Sequence, residues 1–341
     1  MKTNPGRFFE DYRVGDVIRH AVPRTLSGGE RALYHALYPA RGALYSSDEF
    51  ARNCGLPASP LDDLIVFHTV FGKTVPDISL NAIANLGYAE GRFLAPVYPG
   101  DTLASRSAVI GVKQNSNGKS GVVYVRTTGT NQRGEAVLEY VRWVMVRKRD
   151  LDAPAPEVVV PDLAKVVNVS DLVIPEGLTF EGYDYELAGE RYRARDYAVG
   201  EVIEHVDGVT VEEAEHMLAT RLWQNTAKVH FDATHRADGR RLIYGGHIIS
   251  LARALSFNGL ANAQMVVAIN GGAHANPCYS GMTVKAWSEV LDVAETQVPG
   301  VSAIRLRLVA TSGTGTELRG VDGKYLPEVL LDLDTWALMP S

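Results

Sequence analysis

Asp11-Tyr12-Arg13-Val14-Gly15-Asp16-Val17-Ile18 returns as Asp196-Tyr197-Ala198-Val199-Gly200-Glu201-Val202-Ile203, an offset of 196 − 11 = 185 residues. Thr25 and Thr210 keep that offset, as do Glu30 and Glu215, and Asn85-Leu86-Gly87 against Asn270-Gly271-Gly272. It slips to 181 where Pro96-Val97-Tyr98-Pro99-Gly100 meets Pro277-Cys278-Tyr279-Ser280-Gly281. Self-similarity at so long a period means two copies of one domain, so each pair of equivalent positions is an internal comparison. A residue that chemistry needs in only one copy should differ between them. Tyr45 and His230, again 185 apart, are such a pair.

The 341 residues suit two domains of about 150 to 170 residues, each large enough for an ordinary core. The Pro/Ala stretch Leu151-Asp152-Ala153-Pro154-Ala155-Pro156-Glu157 cannot propagate a helix and ends the first domain. The expected division is therefore 1–150, a connector over 151–190 whose apolar content should pack across both domains, and 191–341. With 46% hydrophobic and 22% charged residues the composition is globular, and the net charge of −6 argues against nucleic acid or anionic membrane as a partner. No stretch approaches the ~18 apolar residues of a membrane span, and a cytoplasmic location is expected. Cys54 and Cys278 are too sparse for a disulfide framework and read as reduced, buried thiols.

Each copy runs in the same order. A helix start is written as a capping box, Ser27-Gly28-Gly29-Glu30 in the first and Thr210-Val211-Glu212-Glu213 in the second. A more apolar helix follows, over 61–72 and 245–259; in the latter Ile248, Ile249, Leu251, Ala252 and Leu255 have helical spacing, while Gly245, Gly246, Ser250 and Ala254 keep it slim. The remainder is β-rich, as in Val122-Val123-Tyr124-Val125, 137–146, 304–309 and 329–338. One helix followed by several antiparallel strands predicts an α+β fold with the sheet curled round the helix. Asn115-Ser116-Asn117-Gly118-Lys119-Ser120 mimics a phosphate loop in its last three residues, but Lys113 stands where the first glycine is required, so it reads as a hairpin turn.

Nucleophile-elbow, His-Glu-x-x-His, Cys-x-x-Cys and dinucleotide-binding patterns do not occur, so neither metal nor redox cofactor is expected. His35, His68, His216 and His274 have no chemical neighbour in sequence and read as structural or solvated. The segment Asn225-Thr226-Ala227-Lys228-Val229-His230-Phe231-Asp232, followed by Tyr244-Gly245-Gly246-His247, is different. It resembles the signature of the MaoC-like, (R)-specific enoyl-CoA hydratases, which are hot-dog proteins. Phe93-Leu94-Ala95-Pro96-Val97-Tyr98-Pro99-Gly100-Asp101-Thr102-Leu103 and the Asp-Tyr-x-Val-Gly-Asp/Glu opening are also similar to segments of that superfamily. Across its whole length, duplication included, the chain resembles the mesaconyl-CoA hydratases.

The resemblance implies a double hot-dog acyl-CoA hydro-lyase, cofactor-free because CoA is part of the substrate, and assembled as a homo-oligomer. It puts His230 at the family's catalytic histidine, and Asn225 where the family usually has aspartate. Gly245 takes the place of the glycine whose N–H faces the thioester oxygen, with Tyr244 and Gly246 beside it as substrate contacts. In the first copy the corresponding residues are Tyr45 and Ala40, and Phe67-His68 replaces the glycine pair, so that copy should be catalytically silent and complete the substrate tunnel. Asp232 is expected to aid His230. Lys228, Arg221 and His235 are the cations near in sequence that could meet a substrate carboxylate.

Elementary chemistry asks for the same residue types. Hydrating a double bond conjugated to a thioester builds negative charge on the carbonyl oxygen, which an N–H at a helix start stabilises through hydrogen bond and dipole. An imidazole with an ordinary pKa of about 6.5 takes a proton from water and delivers one to carbon near neutrality. Asparagine at 225 has its own rationale: mesaconyl-CoA carries a carboxylate on the carbon that receives water, and an aspartate about 5 Å away would repel it by about 3 kcal/mol at an effective dielectric near 20. Hydration of another enoyl-CoA and thioester hydrolysis are the competing activities, and a binder without activity is the third.

Overall fold

The computed structural model describes residues 2–341. Ten strands form one continuous sheet: β1 (Val17–Thr25), β2 (Ala82–Phe93), β3 (Thr102–Gln114), β4 (Ser120–Thr130) and β5 (Ala136–Arg147) from the first half, and β6 (Val202–Thr210), β7 (Met265–His274), β8 (Thr283–Glu295), β9 (Val301–Thr311) and β10 (Val329–Pro340) from the second. Their order, β1-β3-β4-β5-β2-β7-β10-β9-β8-β6, reads the same from either end with the second half substituted for the first. All neighbours are antiparallel. The halves join at β2 and β7, where Tyr88 pairs with Gly272 and Gly91 with Ile269.

Each half wraps a central helix, Asp63–Thr74 in the first and Gly245–Leu255 in the second. All twelve residues of the first helix are buried, which suits its low amphipathicity: sheet covers one side and the other half's helix the other. The two helices touch through polar groups, His68 Nε2 lying 2.8 Å from Ser250 Oγ. Gly72 shows how tight the packing is, since a Cβ there would fall 1.7 Å from the Trp223 carbonyl oxygen of the opposite half.

Ser27 caps the helix Gly28–Leu37 as expected, with its backbone N–H and hydroxyl both bonded to Glu30. The second expected capping box does not form. Thr210 is still in β6, its hydroxyl 2.8 Å from that of Thr283 on β8, and the helix begins only at Glu213, capped by no side chain. The ladder holds the threonine that the local pattern assigned to the helix. Asn115–Ser120 is a turn between β3 and β4, closed by the Gly118 N–H on the Asn115 carbonyl at 3.0 Å. The connector packs back on both halves: Val159 pairs with Val112 of β3, the Val167 carbonyl accepts from Trp336 Nε1 of β10 at 3.1 Å, and Leu172, Leu178, Phe180 and Tyr183 share a core with Leu44, Phe50, Met265 and Leu338. Among the described residues no helix is long and apolar enough to cross a membrane.

Candidate active site

The short helix Lys228–Phe231 and the segment leading into the second central helix make one side of a cavity of ≈ 280 Å³. Gln224 turns the chain with a positive φ of 55°, and the Asn225 N–H then bonds the Thr220 carbonyl at 3.0 Å. Asn225 is buried, and its Oδ1 accepts from the Ala227 N–H at 3.0 Å. The residue thus shapes the turn that presents His230. The half-buried His230 hydrogen-bonds through Nδ1 to the Leu242 carbonyl at 2.7 Å. A carbonyl can only accept, so Nδ1 carries the proton and the lone pair of the neutral ring sits on Nε2. Burial pulls the His230 pKa below the usual 6.5, partly offset by that carbonyl.

Gly245 opens the second central helix, and no side chain caps its first turn. First-turn N–H groups of a helix lack intrahelical acceptors and lie at the positive end of its dipole, so this one is available to an anion. Asn225, His230, Tyr244 and Gly245 all line the cavity. Gly246 does not: a Cβ there would fall 2.4 Å from the Tyr244 ring, so its role is to let that tyrosine fold over the helix start.

Four other expected contacts lie elsewhere. Asp232 is exposed and its Oδ1 accepts from the Thr234 N–H and hydroxyl at 2.9 and 2.7 Å, starting the next turn. Lys228 is exposed, and Arg221 is exposed with Nε on the Met217 carbonyl at 3.2 Å. Neither lines the cavity, nor does His235. These long polar side chains follow water, as solvated helix-surface residues do.

His274 is the clearest residue that sequence reasoning passed over. It ends β7, lines the cavity, and stands against Gly245 so closely that a Cβ at 245 would meet its Cε1 at 2.4 Å. Its Nε2 lies 3.1 Å from the Tyr88 hydroxyl of the first half, and burial with His230 nearby pushes its pKa down to about 4. Glycine at 245 is therefore required by a neighbouring imidazole as well as by any ligand. His68 and His216 are structural as read: both are buried, His68 between Ser250 and Tyr244, and His216 accepting the Tyr244 N–H at 3.0 Å. Cys278, also on the wall, is held as a thiol by burial, its pKa raised to about 11.

The opposite wall belongs to the first half, through Phe71, Asn85, Tyr88 and Arg142. The corresponding place in that half is nearly filled. At the offset of 181, Phe93-Leu94-Ala95-Pro96 replaces His274-Ala275-Asn276-Pro277, and the space lined by these residues, Asp63 and the connector's Val173 and Pro175 is ≈ 20 Å³, little more than one water. Tyr45, standing where the second half has His230, hydrogen-bonds the Asp63 carboxyl, which also accepts from the Val266 N–H at 2.8 Å. Burial raises that carboxyl to about 8.

The family model for mesaconyl-CoA hydratase matches residues 2–313 of the chain. A mesaconyl-CoA hydratase of Cereibacter sphaeroides is 76% identical over 343 residues, covering 100% of both chains. A beta-methylmalyl-CoA dehydratase of Chloroflexus aurantiacus is 58% identical over 348 residues, covering 99% of this chain and 98% of that one. Among solved structures, a conserved hypothetical protein of Mycobacterium tuberculosis with a double hotdog fold superposes with a TM-score of 0.77 at 25% identity, covering 98% of each chain. The expected fold is the observed one: a double hot-dog of the α+β class.

Proposed function

Since the chain belongs to the mesaconyl-CoA hydratase family, we propose that it hydrates mesaconyl-CoA reversibly to β-methylmalyl-CoA. One observation carries the reading: an imidazole whose Nδ1–H is tied to the Leu242 carbonyl shares a cavity wall with the uncapped start of a buried helix at Gly245. His230 Nε2 takes a proton from water, whose oxygen bonds to the carbon bearing the carboxylate. The electron pair of the double bond moves toward the thioester carbonyl, whose oxygen charge the Gly245 N–H stabilises. The imidazolium returns the proton to the methyl-bearing carbon, and dehydration is the reverse. No electrons leave the substrate and no metal or redox cofactor is required.

Purified protein given mesaconyl-CoA should bleach the enoyl-thioester absorbance without releasing free thiol, and crotonyl-CoA should be a poorer substrate. Thiol release would mean thioester hydrolysis instead. The pH profile follows from the tautomer and the burial of His230. A pKa below 6.5 keeps the ring neutral at pH 7, so activity is retained as pH falls through 6.5 and is lost only below it. An acidic limb of kcat/KM centred at or above 6.5 would show that burial does not lower the pKa of this base, and a limb that persists in His230→Ala would exclude His230 as its origin.

Asn225→Asp isolates one charge. An aspartate oxygen still accepts from the Ala227 N–H, so the turn persists, while the amide becomes an anion beside the substrate carboxylate. About 3 kcal/mol of repulsion at ~5 Å corresponds to a fall of roughly 100-fold in kcat/KM for mesaconyl-CoA, with crotonyl-CoA much less affected. Unchanged or improved turnover of the dicarboxylic substrate would remove this explanation for the asparagine.

A further inference from the structure

Arg142 is fully buried on β5, yet the groups around it leave its charge unanswered. Only Nη2 is hydrogen-bonded, to Thr74 Oγ1 at 2.7 Å and Ser79 Oγ at 3.3 Å; Nε and Nη1 have no partner, and no carboxylate pairs with the guanidinium among the described residues. Phe71 lies against it, 4.3 Å from ring centroid to Cζ. An arginine stays charged, and a buried charge is tolerated when it is paired and hydrogen-bonded. Here both requirements are open, at a side chain that lines the cavity shared by His230 and Gly245.

We propose that Arg142 is the specificity-determining residue that binds the free carboxylate of the acyl group, with Asn85 beside it. This rests on the proposed reaction and names the residue that selects its substrate. Both Nδ2 and Oδ1 of Asn85 are buried without partners on the same wall. Arg142 pairs across the sheet with Tyr88, and the Tyr88 hydroxyl reaches His274, whose ring rests on Gly245. Neighbouring residues of one wall therefore lead from Arg142 through Tyr88 and His274 to the helix start at Gly245. The substrate carboxylate sits on the carbon to which water adds, two bonds from the thioester carbon, so both groups must be held within one small cavity. A carboxylate supplies the acceptors that Nε–H and the two N–H groups of Nη1 lack. A neutral acyl chain leaves them unpaired, and a site built for a polar group rejects the analogue lacking it. The device is single: matching Trp143 with Trp336, an offset of 193, puts Thr335 at the place of Arg142 in the second copy.

The test compares Arg142→Met with the parent on mesaconyl-CoA and on 2-methylcrotonyl-CoA, which has the same skeleton with methyl in place of carboxylate, by turnover and by Kd. Removing one partner of a buried ion pair should lower kcat/KM for mesaconyl-CoA by about 100-fold or more, raise its Kd, and leave or improve binding of the neutral thioester. The melting temperature should hold or rise, because an unpaired buried charge is gone. Equal losses on both substrates, or a selective loss absent altogether, would overturn the proposal. Should Arg142→Met not fold, Arg142→Lys decides by the same ratio: discrimination reduced supports the assignment, and discrimination intact refutes it. A parent enzyme inactive on mesaconyl-CoA but active on neutral enoyl-CoA would instead refute the reaction on which the assignment rests.

Discussion

His230→Ala should lower kcat/KM for mesaconyl-CoA by about 10³-fold, within the range ascribed to a positioned general acid–base, while thermal stability changes little. The ring is half-buried and makes one hydrogen bond, to the Leu242 carbonyl, at a segment also held by the Leu242 N–H on the Val229 carbonyl at 3.0 Å. Removing it therefore leaves the local backbone fixed. Substrate Kd should remain near the parent value, because the thioester is held by Gly245 and the acyl end by the opposite wall. A loss of tenfold or less would move the proton traffic elsewhere, and His274 is the imidazole in the same cavity that could carry it.

Gly72→Ala should destabilise the protein by about 3 kcal/mol or more, at the severe end of overpacking, measured as a lower denaturant midpoint. The added methyl would meet backbone, the Trp223 carbonyl oxygen at 1.7 Å and its carbon at 2.9 Å, with the Asn225 nitrogen at 3.8 Å. Backbone at the end of a packed helix cannot swing aside as a side chain does. Whatever folded protein survives should also be impaired, because the displaced segment is the one that turns into Asn225 and His230. Activity per folded molecule equal to the parent's would show that this contact does not transmit to the site.

The repeat made much of this architecture legible. Two copies follow from the 185-residue repeat, the helix in each and several strands from local patterns, and the His230–Gly245 pairing from the resemblance carried by residues 225–247. The far wall does not. Tyr88, Asn85 and Arg142 reach the cavity because β2 pairs with β7 and β5 with β2, contacts spanning long stretches of chain that leave no local mark. His274 looked isolated because Ala273 and Ala275 flank it, and its partners come from other strands and the helix start. The internal comparison still held a clue to both: Phe93 stands against His274 at 181 and Thr335 against Arg142 at 193, each a change in chemistry rather than in size alone. Conversely, Lys228, Arg221 and Asp232 were drawn in by nearness in sequence, and water claimed them.

The continuous sheet joined at β2 and β7 has a consequence for what evolution could install. In a twofold-symmetric dimer of separate identical chains, any substitution facing one cavity appears in the other, and an added cation would be buried twice whether or not each cavity had an anion to meet it. Covalent fusion lifts that constraint. One lobe can surrender its proton chemistry, close its own chamber with Phe93 and Leu94, and lend its strands as a recognition wall for its sibling. A narrow dicarboxylic preference then needs just one buried guanidinium per polypeptide, with no idle twin to accommodate.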